Sequence, residues 1–430
     1  MKKLLSMFIF VIAFTVLVAG CSRAGSNESA SNESDSNEAS ENGQVTLSFF
    51  SSMSNEGEKK AMESVVAKFE EENPNIKIDL NLPGGGYEDM LRVKMAANDM
   101  PDLFDTHGWS QLRYGEYVAD QKDMDWVKNL DPALDQILKD ETGKVYAFPI
   151  NQAKDGISYN VNVLEEYGIK PPTTLDEFVA ALETVKEKSN GEVTPLWIPG
   201  GDNWTIAQIF DELATPLVIT DAENSHGDQL VDGSFDWTLY TPLAEKMKEI
   251  QDKGLINEDV LTAKLQQATE LIAQDKIAFT FVAGSLGPDA TELNPDAKIG
   301  TMPVPAIHEG DKQSWIGGER HTIALWKDTK HPEEAKRFID FMAQPENIKI
   351  MAEGTSAPDA LTNVEAENYF SEYYKEYEDI KVQPYFDRVY LPSGMWDVMA
   401  TTGQELLAGS LTPEQLSKKM EEEYNRLRSQ

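Results

Sequence analysis

The stretch KVYAFPINQAKDGISYN, residues 144–160, joins two apolar runs through a polar segment. Apolar side chains alternate along residues 145–150 with the period of a β-strand, and a second short apolar run begins at Gly156. The segment between them, residues 151–155, is too polar for a strand buried in a core. We interpret it as a crossing at which the chain leaves one lobe and enters another. A ligand held between two lobes would lie against it.

The residues before this crossing alternate between strand and helix patterns. Strands are predicted at residues 44–51, 76–82 and 101–104, and helices at residues 56–72 and 87–98. This order predicts α/β layering with a mainly parallel sheet, in which ligands bind beyond the C-terminal ends of the strands. Ser51 and the loop 105–109, which contains Asp105 and Trp109, follow such strand ends. They are therefore candidate ligand contacts.

Three tryptophans after the crossing stand out by their surroundings. Trp204 ends the Gly-rich loop GGDNW at the start of a helix, and Trp315 precedes a Gly-Gly pair. Trp396 and its neighbour Asp397 follow the turn sequence PSG, again at a helix start. Each tryptophan can equally belong to the core or to its rim, so the pattern alone leaves both roles open.

The first residues have the layout of a secretory signal peptide. Lys2 and Lys3 precede the apolar residues 4–18, which are too few to span a membrane comfortably. The next residues, VAGC, resemble the bacterial lipobox, in which Cys21 would be lipidated and become the new N-terminus. We therefore expect a lipoprotein signal peptide in residues 1–20; the alternative is an ordinary signal peptide with an incidental cysteine. Cys21 is the only cysteine of the 430 residues, so no intrachain disulfide can form.

Composition separates a tether from a globular body. Residues 21–43 are rich in Ser, Asn and Glu and cannot bury enough apolar surface to offset ordering, so we expect a flexible tether. The length of the remaining body indicates two or three units of about 150 residues. The whole chain has a formal net charge of −36. Without a basic stripe to neutralise phosphate, nucleic acid is not an expected partner.

A series of motifs in this order resembles the extracellular sugar-binding proteins of carbohydrate ABC importers, the family 1 solute-binding proteins. The motifs include FFSSMSNEGEKKAMESVVAKFEEENPNIKI, MAANDMPDLFDTHGW, GISYNVNVLEEYGIKPPTTLDEF, KIAFTFVAGSLG, IGTMPVP and the run that begins WIGGERHTIALWK. Within that family the chain is similar to the multiple-sugar-binding lipoproteins of Gram-positive bacteria. Those proteins serve α-galactosides such as melibiose and raffinose.

The resemblance implies a two-lobed, periplasmic-binding-protein-like α/β fold of type II. Each lobe would hold a mainly parallel sheet flanked by helices, with the ligand in the cleft between the lobes. The first lobe would comprise residues 44–151 and 301–344, and the second residues 152–300 and 345–430. Sugar binding would close the lobes by biasing an existing open–closed equilibrium.

The resemblance also implies partners and a location. The expected partners are an oligosaccharide and two ABC permease subunits with a cytoplasmic ATPase. The protein would be a monomer without a cofactor, held on the extracellular face of the cell membrane by its lipid anchor alone.

A sugar site needs flat aromatic faces for the C–H side of each ring and charged or amide groups for the hydroxyls. The candidate aromatic faces are Trp109, Trp204, Trp315 and Trp396. The candidate carboxylates are Asp105, where the family pattern places a ligand contact, Asp155 beside the crossing, Glu319 and Asp397. Asp105 could instead cap a helix, and Glu319 could pair with Arg320 at the surface.

The opposing functional class is a secreted glycoside hydrolase, which would use a pair of carboxylates. With 74 acidic residues, such a pair is expected by chance and decides nothing. The sequence contains no G-x-S-x-G or H-E-x-x-H motif, and its five His residues are scattered. A peptide- or metal-binding relative is a third alternative. Because a metal binder should show clustered ligands, no metal site is predicted.

Replacement of the lipobox cysteine tests the anchor. Cys21→Ser removes the thiol that would carry the lipid, so the variant should accumulate as unprocessed or unanchored protein. Phase partitioning in detergent measures this directly, because lipidated protein enters the detergent phase. A variant that loses its signal peptide and still partitions like the wild type would show that Cys21 carries no lipid.

Overall fold

The computed structural model describes residues 43–220, 225–282 and 284–429. The expected signal peptide, Cys21 and all but the last residue of the expected tether lie outside these ranges. Among the described residues, a helix with the length and apolar character that a membrane crossing requires is absent.

Strands and helices alternate along most of the chain. The strands are β1 Val45–Phe50, β2 Ile76–Asn81, β3 Leu103–Phe104, β4 Phe148–Pro149, β5 Gln152–Asp155, β6 Ile157–Asn160, β7 Thr194–Leu196, β8 Ile277–Thr280, β9 Ile299–Met302, β10 Trp315–Glu319, β11 Thr322–Leu325 and β12 Val382–Pro384.

The α-helices are α1 Glu56–Glu72, α2 Tyr87–Ala97, α3 Asp135–Leu138, α4 Val161–Tyr167, α5 Leu175–Lys188, α6 Trp204–Val218, α7 Gly227–Asp232, α8 Thr241–Asp252, α9 Leu265–Ala273, α10 Leu286–Leu293, α11 Pro332–Met342, α12 Pro345–Thr355, α13 Ser371–Glu376, α14 Phe386–Tyr390, α15 Met395–Leu407 and α16 Pro413–Arg428.

The first lobe is built on a five-stranded sheet with the order β2-β1-β3-β11-β4. Its core joins the apolar faces of β1 and α1 to α11 and α12. Phe338 of α11 packs edge-to-face on Phe49 and Phe69, with ring centroids 5.8 and 5.0 Å away. Such aromatic pairs add about 0.5–1.5 kcal/mol each beyond the area they bury. They fix α11 against the sheet even though it comes more than 250 residues after β1.

The second lobe is built on a four-stranded sheet with the order β7-β8-β6-β9. Its core also contains residues of α5, α6, α8, α15 and α16. The sequence of α6, WTIAQIFDELATPLV, is apolar around most of its circumference, which is typical of a helix enclosed on all sides. Every residue of α6 except Trp204 is buried.

The polar segment of the crossing forms a strand, which the sequence did not predict. β5 pairs antiparallel with β10, and β10 pairs with β12, so these three strands form a small sheet between the two cores. Ile150 belongs to the first core and Ala153 to the second. Gln152 is buried, and its amide nitrogen donates to Asp131 and to the Asp359 carbonyl, while its Oε1 has no hydrogen-bond partner among the described residues. Tertiary partners distant in sequence therefore satisfy the donor side of this polar side chain.

Two lobe boundaries differ from the expected ones at residues 301 and 344. Val304 and Ile316 pack in the second core, so the chain returns to the first lobe only between β10 and β11. Helix α12 packs in the first core with α1 rather than in the second lobe. At this contact a Cβ on Gly57 would lie 2.7 Å from the Gly354 carbonyl oxygen, so glycine permits the close approach. The last crossing therefore follows Val364.

The sheets are mixed rather than mainly parallel. In the first lobe β1 is parallel to β2 and β3, but β11 is antiparallel to β3 and β4. In the second lobe β6 is antiparallel to both β8 and β9. The antiparallel strands, β11 and β6, are the first strands after a crossing. They therefore run away from the junction, whereas the strands beside them run toward it.

Gly317 in β10 provides a test of the sheet between the lobes. A Cβ at this position would lie 1.9 Å from the Ala153 carbonyl oxygen, so Gly317→Ala must push β10 away from β5. Overpacking of this kind costs about 1–3 kcal/mol. We expect the free energy of unfolding in urea to fall by that amount. Gly86→Ala is the control, because a Cβ there has nothing within 4 Å; equal stabilities of the two variants would contradict the prediction.

Candidate functional site

Asp105 lies at the end of β3 and fastens several segments of the first lobe to one another. Its carboxylate accepts hydrogen bonds from the backbone N–H groups of His107 and Thr322, both at 2.9 Å, and from the Ser52 hydroxyl. His321 Nδ1 lies 3.0 Å away. Asp105 is fully buried and does not cap a helix. Both carboxylate oxygens of Asp105 have partners within the protein, so Asp105 stabilises the first lobe at its junction with the second.

His321 joins two buried carboxylates. Its Nδ1 faces Asp105, and its Nε2 lies 3.4 Å from Glu58 Oε1 in the first turn of α1. Burial alone would lower the pKa of His321, but the hydrogen bonds to Asp105 and Glu58 raise it from 6.5 to about 9. Burial opposes ionisation of Asp105 as well, yet His321 lowers the pKa of Asp105 from 3.8 to about 2. The triad is therefore ionised at neutral pH.

Arg320 connects this triad to the crossing. Its guanidinium lies 3.6 Å from Glu58 and 4.0 Å from Asp155 in β5. The expected alternative, a surface pair of Arg320 with Glu319, is wrong, because Glu319 is fully buried and Arg320 turns to other carboxylates. Asp155 also accepts a hydrogen bond from the Tyr385 hydroxyl and is 8 % exposed.

Trp109 brings the two lobes into contact. Its indole Nε1 donates to Asp387 Oδ2 of α14 at 3.1 Å. The guanidinium carbons of Arg113 and Arg388 lie 4.0 and 5.0 Å from its ring centroid. Arg113 is held in the first lobe by a 2.6 Å ion pair with Glu88, whereas Arg388 comes from the second lobe. Trp109 is thus a contact across the junction, placed beside charged groups of both lobes.

The charged side chains near Trp109 include three from the later part of the chain with polar atoms that have no hydrogen-bond partner among the described residues. These atoms are Glu319 Oε2, Asp387 Oδ1 and Arg388 Nε. The other atoms of the same side chains are held: Ser110 donates to Glu319 Oε1 at 3.0 Å, and the Arg388 guanidinium stacks 3.8 Å from the Tyr385 ring. An unsatisfied buried polar group costs about 1–3 kcal/mol. A ligand with several hydroxyls can supply the missing partners.

Burial changes the protonation of this part of the junction. It raises the pKa of Glu319 from 4.5 to about 7, and Arg388 only partly opposes that effect. It also raises the pKa of Asp387 from 3.8 to about 6, although the bond from Trp109 lowers it. Near neutral pH these groups can therefore donate or accept hydrogen bonds, as hydroxyl recognition requires.

Sequence reasoning missed the acidic pair of α6. Asp211 accepts hydrogen bonds from the backbone N–H groups of Phe386 and Asp387, at 3.1 and 2.7 Å, and thereby fixes the start of α14. Glu212 accepts from Gln208 at 2.7 Å, and its Oε2 has no partner within the described part of the chain. The signal was present: two adjacent acids inside an otherwise apolar helix need a polar environment. Asp387 and Arg388 carried no comparable signal.

The remaining predicted residues lie in different surroundings. Ser51 is fully buried at the end of β1, and Trp315 is a core residue that packs on Tyr374 with ring centroids 5.4 Å apart. Trp396 is half-buried against the second core, and Asp397 is exposed. Trp204 is 43 % exposed at the start of α6. Residues 43–220, 225–282 and 284–429 hold no group of three or more His, Cys, Asp or Glu able to bind a metal.

The fold and its junction together define a two-lobed solute-binding protein. The chain belongs to the bacterial extracellular solute-binding protein family, whose model matches residues 54–349. It is 53% identical over 391 residues to the melibiose/raffinose/stachyose-binding protein MelE of Bacillus subtilis, covering 91% of this chain and 92% of MelE.

Two solved structures are similar over most of the chain. One is a sugar transporter from Bacillus licheniformis in complex with stachyose; it is 64% identical, has a TM-score of 0.83, and the match covers 89% of this chain and 100% of that one. The other is a putative binding protein of Bacillus subtilis in an open conformation, at 52% identity and a TM-score of 0.85, with 91% and 99% covered. Because these relatives are binding and transport proteins, the chain belongs to a transport class and not to an enzyme class.

The charged triad predicts how stability depends on pH. The folded-state pKa of His321 lies above its value of 6.5 in the unfolded chain, so its contribution is complete below pH 6.5 and is lost as pH rises through about 9. The pKa of Asp105 is depressed, so its contribution is lost as pH falls from 3.8 through about 2. His321→Gln removes the cation that joins the two buried carboxylates and leaves Arg320 beside Glu58 alone, so it should cost about 3–5 kcal/mol near neutral pH.

Urea unfolding of wild type and His321→Gln between pH 5 and pH 10 measures this. The difference between them should shrink as pH rises above 6.5, because the wild type also loses its charge. His331→Gln, at the N-cap of α11 where the side chain makes no capping hydrogen bond, is the control. A difference that does not change with pH would mean that His321 stabilises the fold without its charge.

Proposed function

We propose that this protein captures α-galactoside oligosaccharides, such as melibiose, raffinose and stachyose, at the junction between its lobes and delivers them to an ABC importer. The single observation that carries the proposal is the set of unpartnered polar atoms around Trp109. A sugar offers hydroxyls that donate and accept, and one apolar C–H face per ring. Glu319, Asp387 and Arg388 supply the complementary groups beside an aromatic side chain.

The relatives support this choice of ligand. MelE, which is named for melibiose, raffinose and stachyose, matches this chain over nearly its whole length. The Bacillus licheniformis structure holds stachyose. We extend that ligand class to this chain because the chemistry of its junction suits a polyhydroxy ligand without net charge, and because an acidic surface does not favour an anion.

Capture would proceed by closure of the two lobes. Among the described residues, the polar contacts across the junction include Trp109 to Asp387, Arg113 Nε to Ser393 Oγ at 3.4 Å, and Arg388 Nη1 at 3.5 Å from the Glu319 carbonyl oxygen. A ligand that bonds to both lobes would add the free energy needed to favour the closed state.

The wider setting belongs to the same proposal. The closed form would dock on two permease subunits served by a cytoplasmic ATPase, and the protein would act as a monomer. Lipidation at Cys21 would hold it on the extracellular face of the membrane, with the tether letting the lobes stand away from the surface. Trp396 and Asp397, at the start of α15, remain proposed ligand contacts in the second lobe.

Calorimetric titration with melibiose, raffinose and stachyose tests the ligand class. Asp387→Asn removes an unpartnered carboxylate oxygen and weakens the bond to Trp109, so the dissociation constant should rise about 5- to 150-fold, the equivalent of 1–3 kcal/mol. Asp228→Asn, exposed on α7 of the same lobe, is the matched control.

Two outcomes would overturn the proposal. Wild-type protein that binds none of the three sugars is not an α-galactoside receptor. Release of a monosaccharide on incubation with raffinose would instead mean hydrolysis. In the supporting case, ligand at 100 times its dissociation constant raises the free energy of unfolding by about 2.7 kcal/mol.

A further inference from the structure

One face of α6 carries Trp204, Gln208 and Glu212 at intervals of four residues. Side chains with this spacing lie above one another on a helix. With a rise of 1.5 Å per residue, eight residues place Trp204 about 12 Å from Glu212 along the axis. That separation is longer than a single pyranose ring.

Exposure falls steadily along this face. Trp204 is 43 % exposed, Gln208 is 9 % exposed and Glu212 is fully buried. The other residues of α6 are buried as well, so Trp204 is the point at which this helix reaches solvent. The face therefore runs from the surface of the second lobe into the junction.

The direction of the strands locates the start of the loop that leads to Trp204 at the cleft-side edge of the second lobe's sheet. β6 begins directly after the crossing, and its first residue, Ile157, pairs with Met302 at the end of β9. β7 is parallel to β8, and both β8 and β9 are antiparallel to β6. β7, β8 and β9 thus all end at the edge where the chain enters from the first lobe. The loop from β7 to Trp204 starts at that edge.

The buried end of the face has an unused acceptor. Gln208 donates to Glu212 Oε1 at 2.7 Å, while Glu212 Oε2 has no hydrogen-bond partner in the described part of the chain. Burial, together with the negative charge of Asp155, raises the pKa of Glu212 well above its usual range. A fully buried carboxyl with a free oxygen is suited to a ligand hydroxyl, which can either donate to it or accept from it.

From this arrangement we propose that α6 measures the length of the sugar: Glu212 binds a hydroxyl of an inner ring, and Trp204 stacks on a ring beyond it that a disaccharide does not reach. This inference rests on the proposed function, since it assumes an oligosaccharide at the junction. It assigns the selection between disaccharides and longer oligosaccharides to a single side chain at the open end of the site.

Titration of Trp204→Ala with melibiose, raffinose and stachyose tests the proposal. The affinity for stachyose should fall about 5- to 150-fold, as expected for the loss of a large apolar contact, while the affinity for melibiose stays within about twofold of wild type. Trp204→Phe should recover part of the stachyose affinity. Glu212→Gln, at the inner end, should weaken the binding of all three sugars.

The control is Leu239→Ala, because Leu239 is 39 % exposed in the same lobe and lies off the α6 face. Equal loss of melibiose and stachyose affinity in Trp204→Ala, or no loss for either, would overturn the assignment. If Trp204→Ala unfolds, Trp204→Phe decides the matter by the same comparison of sugars. Wild-type protein that binds no sugar would overturn the proposed function itself, an outcome distinct from the failure of the chain-length role.

Discussion

The charge buried where the lobes meet is the constraint on which the rest of the structure depends. His321 lies between Asp105 and Glu58, and its protonated ring balances carboxylates that could not stay ionised alone. Through these bonds the loop after β3, the first turn of α1 and the start of β11 are held in one arrangement. The Asp105–Trp109 loop can then present Trp109 to the second lobe because its base is fixed.

The two sides of this junction differ in how completely their polar groups are satisfied. Around Asp105, each carboxylate oxygen has a partner within the protein. Around Glu319, Asp387 and Arg388, some polar atoms have none among the described residues, and burial raises the pKa of both acids. A binding site needs unsatisfied polar groups held by a rigid support. Because the support orders these groups during folding, less entropy is lost when the ligand binds. The ordered structure around Asp105 thus holds the unsatisfied polar groups of the other side in place for a ligand.

Helix α6 shows how one element serves both purposes. Its apolar residues form much of the second core, while Asp211 holds the start of α14 and Glu212 leaves an oxygen free. The position of Asp387 therefore depends on α6, and with it the contact to Trp109 across the junction. A change in α6 would act on the core of one lobe and on the contact between both.

The sequence by itself determined the first elements of the first lobe and the class of the protein. Alternation and helical spacing predicted β1, α1, β2 and α2, and the order of motifs indicated the family to which the chain belongs. These patterns depend on residues close together in the sequence, so they can be interpreted without knowing which residues pack together in the fold. The polar character of residues 151–155 indicated the crossing but not the strand β5, because the partners of the Gln152 amide nitrogen, Asp131 and Asp359, are distant in sequence.

Only the tertiary structure decided which polar side chains meet. Asp387 and Trp109 are 278 residues apart, and nothing in either local sequence indicates the other. Trp315 and Trp204 both stand beside glycines, yet one lies in the core and the other at the surface, because β10 is enclosed on both sides while α6 begins at an open edge. The same holds for α12, which the resemblance assigned to the second lobe and which packs with α1 in the first core. Burial and long-range pairing depend on the fold of the whole chain, so local sequence patterns do not predict them.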